Sequence, residues 1–301
     1  MALRVTTMMT ARATVRDLQN DLSEVSRLQR KLSSGKEIVR PSDNPYGTSL
    51  ALQLRGEMAG LQQYRRNVDD GIAWLNASDA ALGKIGDALH RVRELLVQGG
   101  SDSAGPRARE SAALEIDQLI ETIKQEGNVQ YAGRYIFSGT ATGTAPYALL
   151  GPDTYSGNND AIAREIGPQV TMNINVTLDG LLGEGQGAGD NLLLHTLRDI
   201  ADHLRANDGP SLRGTDIQRI DANFDVLNQL RAEVGARTNR LSIAESRLSS
   251  LEENSVELLS GVEDADTVKT LIEYTTQQSA YNAALKAGAN VVQTSLLDFL
   301  R

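Results

Sequence analysis

Residues 61–96 read LQQYRRNVDDGIAWLNASDAALGKIGDALHRVRELL. Within them Leu61, Val68, Leu75, Leu82, Leu89 and Leu96 recur at a constant step of seven, and Ile85 and Val92 fill companion positions. Seven residues are close to two helical turns, so these side chains share one side of a helix and form a coiled-coil-like seam. A seam of this kind has to be covered by other helices.

Outward from it, three more stripes supply candidates. Val15, Leu18, Leu22, Val25, Leu28 and Leu32 step by three and four near the amino terminus. Ala113, Ile116, Ile120 and Ile123 make a shorter stripe just after Gly105-Pro106, a turn that predicts an antiparallel hairpin with the seam helix. Ile220, Leu227, Val234, Leu241 and Leu248 again step by seven, with Leu230, Ala244, Leu251 and Leu258 alongside and Arg237 interrupting. Periodicity alone leaves open whether these stripes close within one chain or between chains.

The seven prolines all lie between 41 and 210, so only the ends are free of this helix breaker. Between about 134 and 189, Gly, Thr, Asn and Pro become frequent, and Val170 to Val176 alternates apolar with polar residues, the period of a strand. The expected fold is mainly α: a long coiled-coil-like helical bundle with paired terminal helices and a small inserted β-rich outer domain. The expected domains are a terminal coiled-coil assembly domain over 1–42 plus 263–301, a helical bundle over 43–133 plus 190–262, and the outer domain over 134–189. Residues 1–40 carry an excess of four positive charges and residues 262–301 an excess of two negative ones, which predicts that the terminal helices pair.

Composition narrows the function. A net charge of −9 disfavours broad binding to nucleic acid or anionic lipid. With no cysteine, no disulfide, thiolate nucleophile or cysteine zinc site is expected. No secretory signal is read at the amino terminus, and no apolar run reaches the roughly 20 residues of a membrane span. His90, His195 and His203 lack metal-ligand spacing; His90 is expected on the bundle surface and the other two on the polar side of one helix. Gly183, Gly185, Gly187 and Gly189 lack the endings of phosphate-binding loops and are read as a flexible hinge, with Asp190 or Asn191 as the following helix cap. The acid pairs Asp69-Asp70 and Asp264 with Asp266 are read as solvated helix-end charge. No catalytic, cofactor or metal residues are expected, and the protein is not expected to be an enzyme.

Particular segments carry a resemblance. Arg30-Lys31-Leu32-Ser33-Ser34-Gly35-Lys36-Glu37-Ile38, then Pro41-Ser42-Asp43-Asn44-Pro45, then Tyr64-Arg65-Arg66-Asn67-Val68-Asp69-Asp70-Gly71-Ile72 resemble the amino-terminal region of the flagellin family in order and spacing. Val262-Glu263-Asp264-Ala265-Asp266 and Leu296-Leu297-Asp298-Phe299-Leu300-Arg301 resemble its carboxyl terminus. Within the family, the two prolines of 41–45, Gly133 to Thr140 and Tyr155-Ser156-Gly157-Asn158 are similar to hook–filament junction members rather than to filament flagellin.

The resemblance implies a structural subunit of the bacterial flagellum that polymerises at the hook–filament junction, with filament flagellin as the alternative within the family and a cytoplasmic coiled-coil adaptor as the alternative outside it. It implies flagellin, another hook-associated junction protein, further copies of the chain and an export chaperone and apparatus as partners, and an extracellular place reached without a cleaved signal peptide. On this reading Leu18, Leu22, Val25, Leu28 and Leu32 pack against Leu271, Leu285, Val292, Leu296 and Phe299 in the assembly interface. Ser34, Gly35, Pro41, Asp43, Asn44 and Pro45 form the turn between domains.

Overall fold

A computed structural model describes the backbone of residues 2–187 and 189–299, and the side chains of 9, 12–187 and 189–289. The chain is mainly α. In order it forms α1 (Ala2–Ser34), α2 (Pro45–Gly100), α3 (Pro106–Gly127), β1 (Gln130–Tyr131), β2 (Arg134–Tyr135), β3 (Ala163–Gly167), β4 (Val170–Asn173), α4 (Asp179–Leu182), α5 (Leu193–Ala206), α6 (Gly209–Arg213), α7 (Thr215–Glu263) and α8 (Thr267–Phe299). It divides into two compact units, residues 1–60 with 251–301, and residues 61–250.

In the unit of residues 61–250 the stripes meet. Leu75, Leu82, Leu89 and Leu96 of α2, Ile116, Ile120 and Ile123 of α3, and Ile220 and Leu241 of α7 are all fully buried in one core. Helix α5 completes it with Leu193, Leu194, Leu197, Ile200 and Leu204. Arg237, which breaks the α7 pattern, donates from Nη1 to the Asn175 carbonyl at 2.5 Å. The carboxyl end of α2 leaves free carbonyls that two arginines satisfy: Arg109 Nε donates to Gly99 at 2.9 Å and Arg213 Nη1 to Gly100 at 3.0 Å.

The central segment holds two antiparallel hairpins, β1–β2 and β3–β4. The alternation at 170–176 predicts a strand through Val176, but β4 ends at Asn173. Asn175 replaces the ladder: its Oδ1 accepts from the Ile162 amide at 2.7 Å and its Nδ2 donates to the Asp160 carbonyl at 2.9 Å. Gly151-Pro152-Asp153 is more than a turn. Lys124, fully buried on α3, donates to the Gly151 carbonyl at 3.0 Å and to Asp153 at 3.2 Å, and Arg198 of α5 holds the same carboxylate at 3.0 Å.

After the glycine tract, neither Asp190 nor Asn191 caps α5. Leu192 occupies the cap position, and Asp190 instead accepts from the Glu184 amide at 2.8 Å, closing the loop. Gly183, Gly185 and Gly189 have φ of 71°, 72° and 63°, a left-handed region in which a Cβ is strained. The histidines are partnered within the fold. His90 is exposed on α2 with its ring 4.7 Å from that of Phe224, His195 lies 3.2 Å from Asp199, and His203 Nδ1 is 2.8 Å from Asp216. Asp70 pairs with Arg164 at 3.2 Å, and Asp266 Oδ1 accepts from the Lys269 amide at the start of α8, so these acids are bonded rather than merely solvated.

Candidate assembly interface

The terminal unit is built around the α1–α8 pair and the linker that follows α1. The linker forms because α1 ends where it must. Gly35 adopts φ 68°, which only glycine takes without strain, and its amide closes on the Lys31 carbonyl at 2.9 Å. Ser34 Oγ donates back to Lys31 and accepts from the Lys36 amide at 3.2 Å. Asp43 Oδ2 accepts from the amides of Val39 and Arg40, at 3.3 and 2.8 Å, folding Pro41 and Ser42 into a tight turn. Asn44 then caps α2: Oδ1 accepts from the Gly47 amide at 2.9 Å, with Pro45 at the first helical position.

This linker is fastened to the end of α7. Lys36 and Asp264 form a β-bridge, the Glu37 amide donates to the Glu263 carbonyl at 2.6 Å, and the Ala265 amide donates to Gly35 at 2.9 Å. Side chains repeat the connection. Glu263, whose carboxylate is only 7% exposed, takes Lys36 at 2.7 Å and Arg55 of α2 at 2.7 Å. Burial pushes the Glu263 pKa up, but the hydrogen bond from Lys36 and the charges of Lys36 and Arg55 outweigh it and hold the carboxyl below its ordinary range. The hydrogen bond to Glu263 raises the Lys36 pKa in turn. Beside this clasp lies a cleft of about 430 Å³ lined by Ile38, Val39, Arg40, Leu52 and Arg55.

Helices α1 and α8 pack side by side. Asp21 accepts from Gln277 Nε2 at 3.0 Å, and Gly288 lies against Thr14 and Leu18, so the helices run antiparallel. Among the described side chains of α8, Thr270 and Gly288 are buried and Tyr274, Gln277, Tyr281 and Ala284 half-buried, a row at steps of four and three made of polar, aromatic and small side chains. Leu271 and Leu285 stand beside this row and remain 53% and 42% exposed, so they are not the α8 residues that cover the α1 stripe within the chain. On α1, Leu28 is buried, Leu18, Val25 and Leu32 are half-buried, and Leu22 is 48% exposed. The side chains of Val292, Leu296 and Phe299 lie outside the described residues. Among the described residues no ion pair joins α1 to α8; the charge contact between the two ends is made just beyond α1, where Lys36 meets Glu263 and Asp264.

Sequence reasoning missed the clasp, because Lys36 and Arg55 are far from Glu263 along the chain. It also missed the α8 row, which has no hydrophobic signature. Among the described residues no group of three or more His, Asp or Glu side chains is arranged to hold a metal, and no helix is long and apolar enough to cross a membrane.

Two family models match the chain: the bacterial flagellin N-terminal helical region over residues 5–142 and the bacterial flagellin C-terminal helical region over 217–300. The chain is 28% identical to a flagellin of Bacillus subtilis, over 99% of this chain and 100% of that one. It is 25% identical to flagellar hook-associated protein 3 of Escherichia coli, over 98% of both. Its fold is similar to that of a solved hook-associated protein from Vibrio parahaemolyticus, with a TM-score of 0.67 at 21% identity, over 74% of this chain and all of that one.

Proposed function

The chain belongs to the bacterial flagellin family, and we propose that it is the structural subunit that polymerises at the hook–filament junction and adapts the hook to the flagellin filament. The observation that carries this reading is the similarity to a hook-associated protein along nearly the whole chain, joined to a likeness of fold to a solved hook-associated protein. Its partners on this reading are flagellin, a second hook-associated protein, further copies of itself, and an export chaperone and apparatus. Its place on this reading is extracellular, on the flagellum.

The physical design fits a subunit that orders on assembly. The α1–α8 pair is a two-helix element with a largely polar seam, which contributes little stability alone. Its exposed aliphatic side chains, among them Val15, Leu22, Leu271, Ile272 and Leu285, become useful only when neighbours cover them. The turn over Ser34 to Pro45 lies within the unit of residues 1–60 and 251–301, where the Glu263 clasp holds it.

The similarity to Bacillus subtilis flagellin favours a second reading, a filament subunit. Electron microscopy of purified hooks, incubated with this protein and then with flagellin, separates the two. A collar that stops by itself and is required for filament growth supports the junction subunit. Long filaments of this protein alone make it a flagellin, and failure to bind hooks removes both.

A further inference from the structure

The cleft beside the Glu263 clasp is open and partly apolar. Ile38, Val39 and Leu52 line it, Val39 being 37% and Leu52 62% exposed, and Lys36, Arg40 and Arg55 stand around it with Glu263 the one acidic lining residue. Glu263 engages Lys36 and Arg55, while the Arg40 guanidinium has no ion pair among the described residues. The cleft therefore presents aliphatic surface and an uncompensated positive charge.

A complementary surface lies on α7. Residues 250–261 read SLEENSVELLSG, with three acids and no base. At roughly 3.6 residues per turn, Leu251, Leu258 and Glu257 are turned about 120° to 240° around the helix axis from Glu263, which lines the cleft. Leu251 is 38% and Leu258 61% exposed, and Glu257 is exposed without an ion pair among the described residues. Because this face points away from the side of α7 that borders the cleft, a chain cannot fill its own cleft with it.

We propose that the cleft receives the Leu251–Leu258 face of α7 from a second copy of this chain, with Glu257 of that copy meeting Arg40. The inference rests on the reading that the chain polymerises. Two different patches of one chain meet, so the contact is head-to-tail and propagates to a ring or a helical filament rather than closing as a two-fold dimer. Aliphatic contact supplies the burial, and the Arg40–Glu257 pair selects partner and register.

The absence of cysteine makes the test clean. Full-length chains carrying Leu52→Cys or Leu258→Cys are mixed under mild oxidation, each exposed site leaving the core intact. The expected result is a disulfide-linked dimer in the mixture, several-fold above either variant alone. Adding Arg40→Glu to the first chain should suppress it several-fold, and adding Glu257→Arg to the second should restore it. Equal dimer in the unmixed samples, no dimer in the mixture, or suppression without restoration overturns the proposal. Cross-linking by a protein that fails to bind hooks would keep this contact while removing the junction reading.

Discussion

Lys36 Nζ stands 2.7 Å from Oε2 of Glu263, joining residues 227 positions apart, and the backbone on either side of the pair is bridged as well. The linker is thus held by a charge at its centre. The Glu263 carboxyl lies below its ordinary 4.5, so the stability it contributes is present above that value and lost as pH falls through the folded pKa. Lys36 is raised above 10.5, and its contribution is lost only as pH rises through that higher value. Glu263→Gln keeps the shape and removes the charge. Because Lys36 and Arg55 are partly exposed, the loss should be modest, about 1 kcal/mol. Hydrogen exchange at the Glu37 and Ala265 amides should quicken several-fold at neutral pH, and the difference from the parent should shrink in acid. Unchanged exchange at both amides would mean that the backbone bridges hold the linker alone.

Lys124 offers a buried contrast. Its side chain is fully covered, and its amine is satisfied by Gly151, Asp153 and Glu121. Burial pushes Asp153 up, but Arg198 and then Lys124 more than reverse it, so Asp153 contributes stability above the ordinary carboxylate range that is lost on acidification. Lys124→Met should cost about 2–4 kcal/mol in urea unfolding, because an ion-paired carboxylate loses one of its two cations. The gap between variant and parent should narrow as pH falls through the Asp153 titration. A gap independent of pH would assign Lys124 to packing alone.

At Gly288 the helix pair is close. A Cβ there would sit 3.2 Å from Thr14 Cγ2 and 3.5 Å from Leu18 Cδ1. Gly288→Ala asks its neighbours to yield only slightly and improves helix propensity by up to about 1 kcal/mol, so it should be neutral or mildly stabilising. Gly288→Leu cannot fit without separating α1 from α8. Circular dichroism and hydrogen exchange should then show α1 and α8 loosened while the melting of residues 61–250 is unchanged. Tight pairing in the leucine variant would contradict the observed approach of the helices.

These sites differ in how far the sequence discloses them. Leu75, Leu82 and Leu89 announce the core because burial on one side of a helix leaves a period that survives in the linear string. The Asn44-Pro45 start of α2 also leaves a local trace, since a cap and its proline are neighbours, although the segment is read above only as a turn. Thr270, Gln277 and Gly288 leave none: a seam made by close approach of small and polar groups resembles a solvated face, and the search for aliphatic residues settles on Leu271 and Leu285 instead. Asp153 reads as turn chemistry until Lys124 and Arg198, from two other helices, converge on it. Charge pairing between distant residues leaves no local trace.

Leu271 and Leu285 carry the last prediction. At 53% and 42% exposure they contribute little within the chain, and surface substitutions of this kind usually change stability by about 0.5 kcal/mol or less. In an assembly that covers them, each leucine would bury apolar surface worth about 1.5 kcal/mol or more. The double variant Leu271→Ser, Leu285→Ser should therefore unfold like the parent yet polymerise only at a concentration roughly a hundredfold higher, as about 3 kcal/mol requires. Leu82→Ala is the control with the opposite pattern: its side chain is fully buried, so it should lose about 2–5 kcal/mol of stability. Sedimentation of assembled material against chain concentration, beside thermal melts of both variants, separates the two effects. If the serine variant polymerises at the parent's concentration, these leucines lie outside the assembly interface, and this flank of α8 stays exposed in the polymer.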